Sequence, residues 1–451
     1  MEKFIILPNT CIQIQSGDST LFGSPYYVLD NYLSQRVGYK LKVVLWNVIN
    51  RIGFILDSSI QDGYRLKVDE TGILITAGTP QNQYYGVCTL IDVMEQTGLE
   101  LPFMDIEDKP SFMIRGVMLD ISRGRIPTMS YLKEVIDVLS LAKVNQIQLY
   151  MEHTFAFSFL SEMNMGKDGI TPGELMEIDT YCQSRYIELI PCIATFGHLY
   201  ELLETQSYQH LCEIETGAPY SWMDRQLHHT IDVFNPESID LIGQMIREIA
   251  PCFKSKYLNI CADETFDLCN GKNSDKKHAV ADIYVEFLNK IMDLVFAEGK
   301  IPMYWGDVIL RHPALLKSIR SGAIPLHWWY EEEINKEDFI ELEKTGLPYY
   351  VCPGTSGWNH FMNNYDKAYK NIKGMIELAN SHKASGILVT DWGDFGHVNQ
   401  LSTSIPLLCH GAREAWKPSF LRSHIDKTCD YVSLLERIGR ERIVTWEYVM
   451  K

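Results

Sequence analysis

Ile114-Arg-Gly-Val-Met-Leu119 is a six-residue run, apolar except for Arg115, and seven runs of the same kind follow it. They are Gln146–Met151, Tyr186–Ile193, Tyr257–Cys261, Pro302–Trp305, Ala323–Trp328, Tyr349–Cys352 and Gly386–Thr390. Each has the length of a strand, and longer amphipathic segments lie between them. Two helix starts support the alternation. Thr171-Pro-Gly-Glu174 is a capping box with proline at the first helical position, and Asn235-Pro-Glu places a cap and a proline ahead of Leu241, Ile242, Met245, Ile246 and Ile249. Eight strand-helix repeats predict an α/β chain built on a closed (β/α)8 TIM barrel. An open doubly wound sheet is the alternative, but no GxGxxG or Walker-type loop follows any strand.

Upstream, residues 1–105 predict a small α+β domain. Tyr64–Val68 and Ile73–Thr76 flank Asp69-Glu-Thr-Gly72 as a hairpin, and Asn82–Gln96 carries apolar residues at helical spacing. Leu101-Pro-Phe-Met-Asp-Ile-Glu-Asp-Lys-Pro110, with two prolines and three acids, predicts a linker. The barrel is expected over 106–430 and a C-terminal helical segment over 431–451.

Composition narrows the function. With 41 Lys and Arg against 58 Asp and Glu in 451 residues, the formal charge is −17, a field that repels phosphate backbones and anionic membranes, so neither nucleic acid nor a membrane is an expected partner. The run after Met1-Glu-Lys ends at Pro8, too short for a signal-peptide core, and a cytoplasmic location is expected. Eleven cysteines form no CxxC pair, and Cys192, Cys252, Cys261 and Cys352 sit inside apolar runs. Buried thiols are therefore expected, with no disulfide, metal or cofactor. A homodimer is left open.

In a barrel, chemistry gathers at the C-terminal ends of the strands. The residues there are Asp120, Ser122 and Arg123; Glu152 and His153; Thr195 and His198; Asp263 and Glu264; Trp305 and Asp307; Trp328 and Tyr330; Trp358 and Asn359; and Asp391, Trp392, Asp394 and His397. Singly, a tryptophan is more often packing and a histidine more often structural. Together, acids, imidazoles and indoles on one rim suit a carbohydrate pocket. Asp263 and Glu264 are adjacent, so they share a pocket only if the backbone turns there and each takes a separate task.

Several ordered motifs carry a family resemblance over most of the chain. Arg115-Gly-Val-Met-Leu-Asp-Ile-Ser-Arg123, Asn259-Ile-Cys-Ala-Asp-Glu-Thr-Phe-Asp-Leu268, Cys352-Pro-Gly-Thr-Ser-Gly-Trp-Asn359 and Thr390-Asp-Trp-Gly-Asp-Phe-Gly-His397 resemble motifs of glycoside hydrolase family 20, the β-N-acetylhexosaminidases, and in particular its smaller bacterial exo-acting members. The resemblance implies substrate-assisted hydrolysis of a terminal β-linked N-acetylhexosamine from an oligosaccharide or glycoconjugate. By carry-over, Glu264 is the general acid and base, and Asp263 orients the substrate acetamido group. Arg115 binds sugar hydroxyls, Asp394 accepts from the O4/O6 side, and Trp305, Trp328 and Trp392 wall the acetamido pocket. Tyr330 donates to the acetamido carbonyl, Trp358 lines the pocket, and His198 and Glu152 tune Glu264. Ala262, Ile193-Ala-Thr195 and His153 depart from the family pattern, which bears on the leaving-group side. Two other functions remain open at this stage: a barrel glycosidase for a sugar without the acetamido group or with a modified one, and a non-catalytic glycan-binding barrel.

Overall fold

A computed structural model of the chain describes residues 2–14, 24–215, 229–394 and 396–418. Eight parallel strands close into a barrel: Ile114–Asp120, Gln146–Met151, Glu188–Ile193, Tyr257–Asn259, Ile301–Trp305, Ile324–Trp328, Tyr350–Cys352 and Gly386–Asp391. The eighth pairs back onto the first, with Gly386 opposite Ile114 and Asp391 opposite Leu119. All eight predicted runs are strands, and the (β/α)8 expectation holds.

Two boundaries move by two residues, for local reasons, and the others agree within one. The third strand begins at Glu188, because Tyr186 is left-handed (φ 56°) and still bonded to the preceding helix through Gln183 O. The fourth ends at Asn259, two residues early. There the Asn259 side chain accepts the Cys261 N–H at 2.9 Å, and Cys261 and Ala262 turn left-handed.

The helices start where capping predicts. Thr171 and Glu174 complete a reciprocal capping box on Pro172–Gln183, and Asn235 accepts the Glu237 N–H at 3.0 Å on Pro236–Ile249. The expected apolar face of the latter, Leu241 through Ile249, is buried against the barrel.

The N-terminal part is a six-stranded sheet ordered Lys42–Val44, Cys11–Gln13, Arg51–Leu56, Gly72–Ala77, Tyr64–Asp69, Met104–Asp108, covered by the helices Pro25–Val37 and Pro80–Thr97. The expected hairpin is present, and the helix after it, Pro80–Thr97, starts two residues upstream of Asn82 and ends one residue downstream of Gln96. The predicted linker is a correction. Glu100–Pro102 pairs with Lys3–Ile5, and Met104–Asp108 pairs antiparallel with Tyr64–Asp69. Its acids are strand residues, Asp105 taking a two-pronged ion pair from Arg65, and its prolines stand at the end of one strand and just past the other. The sheet therefore runs to Asp108, past residue 105.

Trp416, at the end of the helix Leu401–Trp416, belongs to the core of this N-terminal part, with its indole 5.0 Å from the Tyr85 ring and its Nε1–H donated to Asp108 at 2.8 Å. The helical segment expected over 431–451 lies outside the described residues.

Candidate active site

The turn that ends the fourth strand presents both catalytic candidates. Cys261, Ala262 and Glu264 have φ of 57°, 68° and 47°, a region that residues with a Cβ seldom occupy. Neighbouring groups hold it: Tyr284 Oη donates to Ala262 O at 2.9 Å, Thr195 Oγ1 to Ile260 O at 2.6 Å, and the Trp305 N–H to Cys261 O at 2.9 Å. Glu264 is fixed on both sides of its α-carbon. Its N–H donates to Asp307 Oδ2 at 3.2 Å, and its carbonyl accepts from His229 Nε2 at 2.8 Å. That bond sets the His229 tautomer, leaving Nδ1 to face the His198 N–H at 3.3 Å. Gly197 makes the approach possible, since a Cβ there would meet Asp263 O at 2.8 Å and His229 Nε2 at 2.9 Å.

His198 is the hub of the charges. Its Nε2 lies 3.4 Å from Asp263 Oδ2 and 3.4 Å from Glu264 Oε2, and its Nδ1 lies 3.4 Å from Glu152 Oε1. Burial alone would strip its proton, but these three carboxylates outweigh burial and lift the imidazole to about 10. The carboxylates thus favour the protonated ring, and the Arg123 guanidinium, with Nη2 3.3 Å from His198 Nδ1, opposes it. His229, buried beside that ring, is held neutral by burial first and by His198 second. Asp263 is buried while the Glu264 side chain is one-third exposed, so the second carboxyl reaches the cleft and the first lines its floor. Asp263 Oδ1 is buried with no hydrogen-bond donor among the described residues.

Arg123 completes the polar wall. Its guanidinium pairs with Asp120 at 2.9 Å, Glu152 at 2.8 Å and Asp394 at 3.4 Å, and lies over the rings of Tyr150 and Trp392. Asp120 in turn accepts backbone N–H groups from Ser122 and Gly393, which ties the first and last strand loops together.

The aromatic residues form one continuous surface. Trp328 stacks on Tyr330 at 5.1 Å, Tyr330 meets Trp358 at 4.9 Å, and Trp392 meets Trp305 at 5.7 Å and Tyr150 at 4.9 Å. Trp392 Nε1–H donates to Tyr330 Oη at 2.6 Å, which leaves the phenol its own proton to donate.

Of the site residues expected from sequence, the rim brings together Asp263, Glu264, Glu152, His198, Trp305, Trp328, Tyr330, Trp358, Trp392 and Asp394. Arg115 is the correction. It is the second residue of its strand, so it lies at the opposite end of the barrel, fully buried, donating to Lys143 O, Phe112 O and Met113 O and packing between Tyr85 and Trp416. Arg123, three residues past the strand end, is the arginine that the first strand's loop brings to the rim. Tyr150 and His229 were not anticipated. Tyr150 is inside a strand run, and its Oη donates to Glu152 at 2.8 Å; no periodic signal marks His229.

His198, Asp263 and Glu264 also form the one group among the described residues whose donor atoms converge as a metal would require, within 4.8 Å of one another. A cation there would compete with a proton for the same His198 nitrogen.

Comparison with known proteins agrees with this geometry. Residues 112–389 match the model of the glycosyl hydrolase family 20 catalytic domain, and residues 29–109 that of the family's domain 2. Hexosaminidase D of Homo sapiens is 22% identical over 317 residues, 65% of this chain and 63% of that protein. A beta-hexosaminidase of Porphyromonas gingivalis is 23% identical over 288 residues, 55% of this chain and 36% of that protein. The match thus spans less than two thirds of either relative. Among solved structures, the exo β-N-acetylglucosaminidase of Vibrio harveyi in complex with N-acetylglucosamine superposes with a TM-score of 0.78 at 19% identity, covering 100% of this chain and 76% of that one. The β-N-acetylhexosaminidase of Streptomyces coelicolor does so with a TM-score of 0.71 at 20% identity, covering 93% and 90%. At these identities the superpositions speak to the fold.

Proposed function

Because its residues 112–389 match the catalytic domain, the chain belongs to glycosyl hydrolase family 20, and on that basis we propose that it is an exo-acting β-N-acetylhexosaminidase that works with retention of configuration. The observation that carries the reading is the pairing of adjacent carboxyls in two environments: Glu264, one-third exposed to the cleft, and Asp263, buried with Oδ1 free to accept.

Glu264 stands beside the leaving oxygen and gives it a proton as the glycosidic bond breaks. The 2-acetamido oxygen of the substrate attacks the anomeric carbon from the other face, so the nucleophile comes from the sugar. Asp263 Oδ1 accepts the acetamido N–H and its charge offsets the positive charge that develops on the closing ring. His198 Nε2 sits between the two carboxyls, 3.4 Å from Asp263 Oδ2 and 3.4 Å from Glu264 Oε2. Tyr330 Oη donates to the acetamido carbonyl, and Trp305, Trp328, Trp358 and Trp392 confine the group in its reactive pose and exclude water. Such an intramolecular arrangement supplies on the order of 7–11 kcal/mol where alignment is good. Water then opens the ring, with Glu264 taking its proton. Arg123 and Asp394, joined at 3.4 Å, hold the far-side hydroxyls of the terminal sugar, so oligosaccharides and glycoconjugates ending in N-acetylhexosamine are the substrates.

A reducing, cytoplasmic setting is proposed with this activity. It is supported by ten described cysteines that are all free thiols, nine of them buried, and subcellular fractionation tests it. For the activity, Glu264→Gln is expected to lower turnover of an aryl β-N-acetylglucosaminide by about 10²–10⁴-fold with KM little changed. Wild-type rates in that variant would exclude Glu264 as the acid. Proton NMR of the first-formed sugar should show the β anomer; the α anomer would exclude retention.

A further inference from the structure

Asp307 opens the short helix Asp307–Leu310 just past the fifth strand, and its carboxyl has two unlike oxygens. Oδ2 accepts the N–H of Glu264 at 3.2 Å. Oδ1 is buried and has no hydrogen-bond partner among the described residues. The bond falls on a residue in a costly backbone conformation, Glu264 being left-handed at φ 47°.

The groups facing this carboxyl make a full negative charge costly. From the fourth-strand turn come Asp263 and Glu264, from its own helix end the exposed Arg311, and from the helix Val280–Ala297 the uncharged Tyr284, whose proton goes to Ala262 O. An ionised Asp307 would be a third carboxylate in one pocket, and the cation nearest to it is solvated.

We infer that Asp307 is a positioning residue for Glu264 and works as a neutral carboxylic acid, with Oδ2 accepting the Glu264 N–H and Oδ1 carrying the proton. Burial and then Asp263 push the carboxyl up to about 7, against the opposing pull of the Glu264 N–H and Arg311. The neutral form spares the turn a further negative charge beside Asp263 and Glu264. As pH rises through about 7, Asp307 ionises and adds a negative charge beside Asp263 and Glu264.

This inference rests on Glu264 being the general acid, and its test separates the two claims. Asparagine keeps both an acceptor and a donor where a protonated aspartic acid has them. Asp307→Asn should therefore retain kcat on an aryl β-N-acetylhexosaminide within about threefold at pH 5–6, with an alkaline limb of kcat/KM displaced to higher pH. Asp307→Ala, which removes the acceptor, should lose kcat by about tenfold or more with KM nearly constant. In the wild-type-minus-Asp307→Asn infrared difference spectrum of the full chain at pH 5.5, a carboxylic-acid C=O band from Asp307 should appear.

An asparagine variant as impaired as the alanine one with an unmoved alkaline limb, an alanine variant with wild-type kcat, or a missing infrared band would each overturn the inference. If the alanine variant does not fold, the asparagine profile and the band decide. Absence of turnover on every aryl glycoside would defeat the functional reading, and the infrared band would still decide the protonation of Asp307.

Discussion

Two arginines eight residues apart, one at each end of the first strand, test whether the site has been placed on the correct rim. Arg123→Lys keeps a positive charge but loses the planar fork that pairs with Asp120 at 2.9 Å and Glu152 at 2.8 Å while reaching Asp394 at 3.4 Å. A charge-assisted hydrogen bond to a sugar hydroxyl contributes about 1.5–3 kcal/mol, so kcat/KM should fall by about 10- to 150-fold. Folding is also weakened, because the Asp120 and Glu152 carboxylates are almost wholly buried and deleting a partner outright costs about 3–5 kcal/mol.

Arg115→Lys is the control. It loses donors to Lys143 O, Phe112 O and Met113 O, each near 3 Å, and should cost about 1–3 kcal/mol of stability. Its kcat/KM per folded molecule should match wild type. The assay is steady-state hydrolysis of an aryl β-N-acetylglucosaminide, normalised by active-site titration and paired with thermal melts. An Arg115→Lys variant that melts normally yet loses catalysis as severely as Arg123→Lys would refute the placement.

Three further outcomes follow from the geometry. Trp392→Phe removes the Nε1–H given to Tyr330 at 2.6 Å but keeps an aromatic wall; kcat/KM should drop by about 2- to 15-fold, from a bond of about 0.5–1.5 kcal/mol, and an unchanged value would show that Tyr330 needs no such support. Gly197→Ala forces a Cβ against Asp263 O and His229 Nε2, so kcat should fall by tenfold or more, on the order of an ångström-scale misplacement; a fully active alanine variant would mean the loop moves freely. For His198 the folded pKa, about 10, lies above the ordinary 6.5. The stabilisation from its charge is therefore complete below about pH 6.5 and is lost as pH rises towards 10. Urea titrations should show the wild-type advantage over His198→Asn shrinking across that window, and a pH-independent difference would contradict the imidazolium.

The sequence carried the barrel because its strands are buried on both faces and read as apolar runs separated by amphipathic helices. Even the capping residues Thr171 and Asn235 could be placed. Tertiary terms were less visible. Asn259 is an ordinary strand residue in sequence, yet its side chain bonds the Cys261 N–H and ends the ladder early. Prolines and acids in Leu101–Pro110 imitate a linker, but their alternation fits an exposed edge strand paired with Tyr64–Asp69.

Arg115 was misassigned although strand polarity was available. The barrel rule puts chemistry after a strand, and Arg115 comes at the beginning of one. The resemblance motif begins and ends with arginine, and of these two only Arg123 reaches the rim. The carboxylates and indoles were legible because each closes a strand or lies within about six residues of its end. His229 was not, since it reaches Glu264 from a long connection with no periodic pattern, and only the bond to Glu264 O reveals it.

The central claim is that the substrate's acetamido group, held by Asp263, is the nucleophile. It is tested most directly by comparing the pure protein on aryl β-N-acetylglucosaminide and aryl β-glucoside, each with and without a thiazoline mimic of the closed-ring intermediate. Rapid release from the N-acetyl glycoside alone, abolished by the thiazoline, is the predicted result. Equal turnover of the plain glucoside, unaffected by the thiazoline, would contradict it.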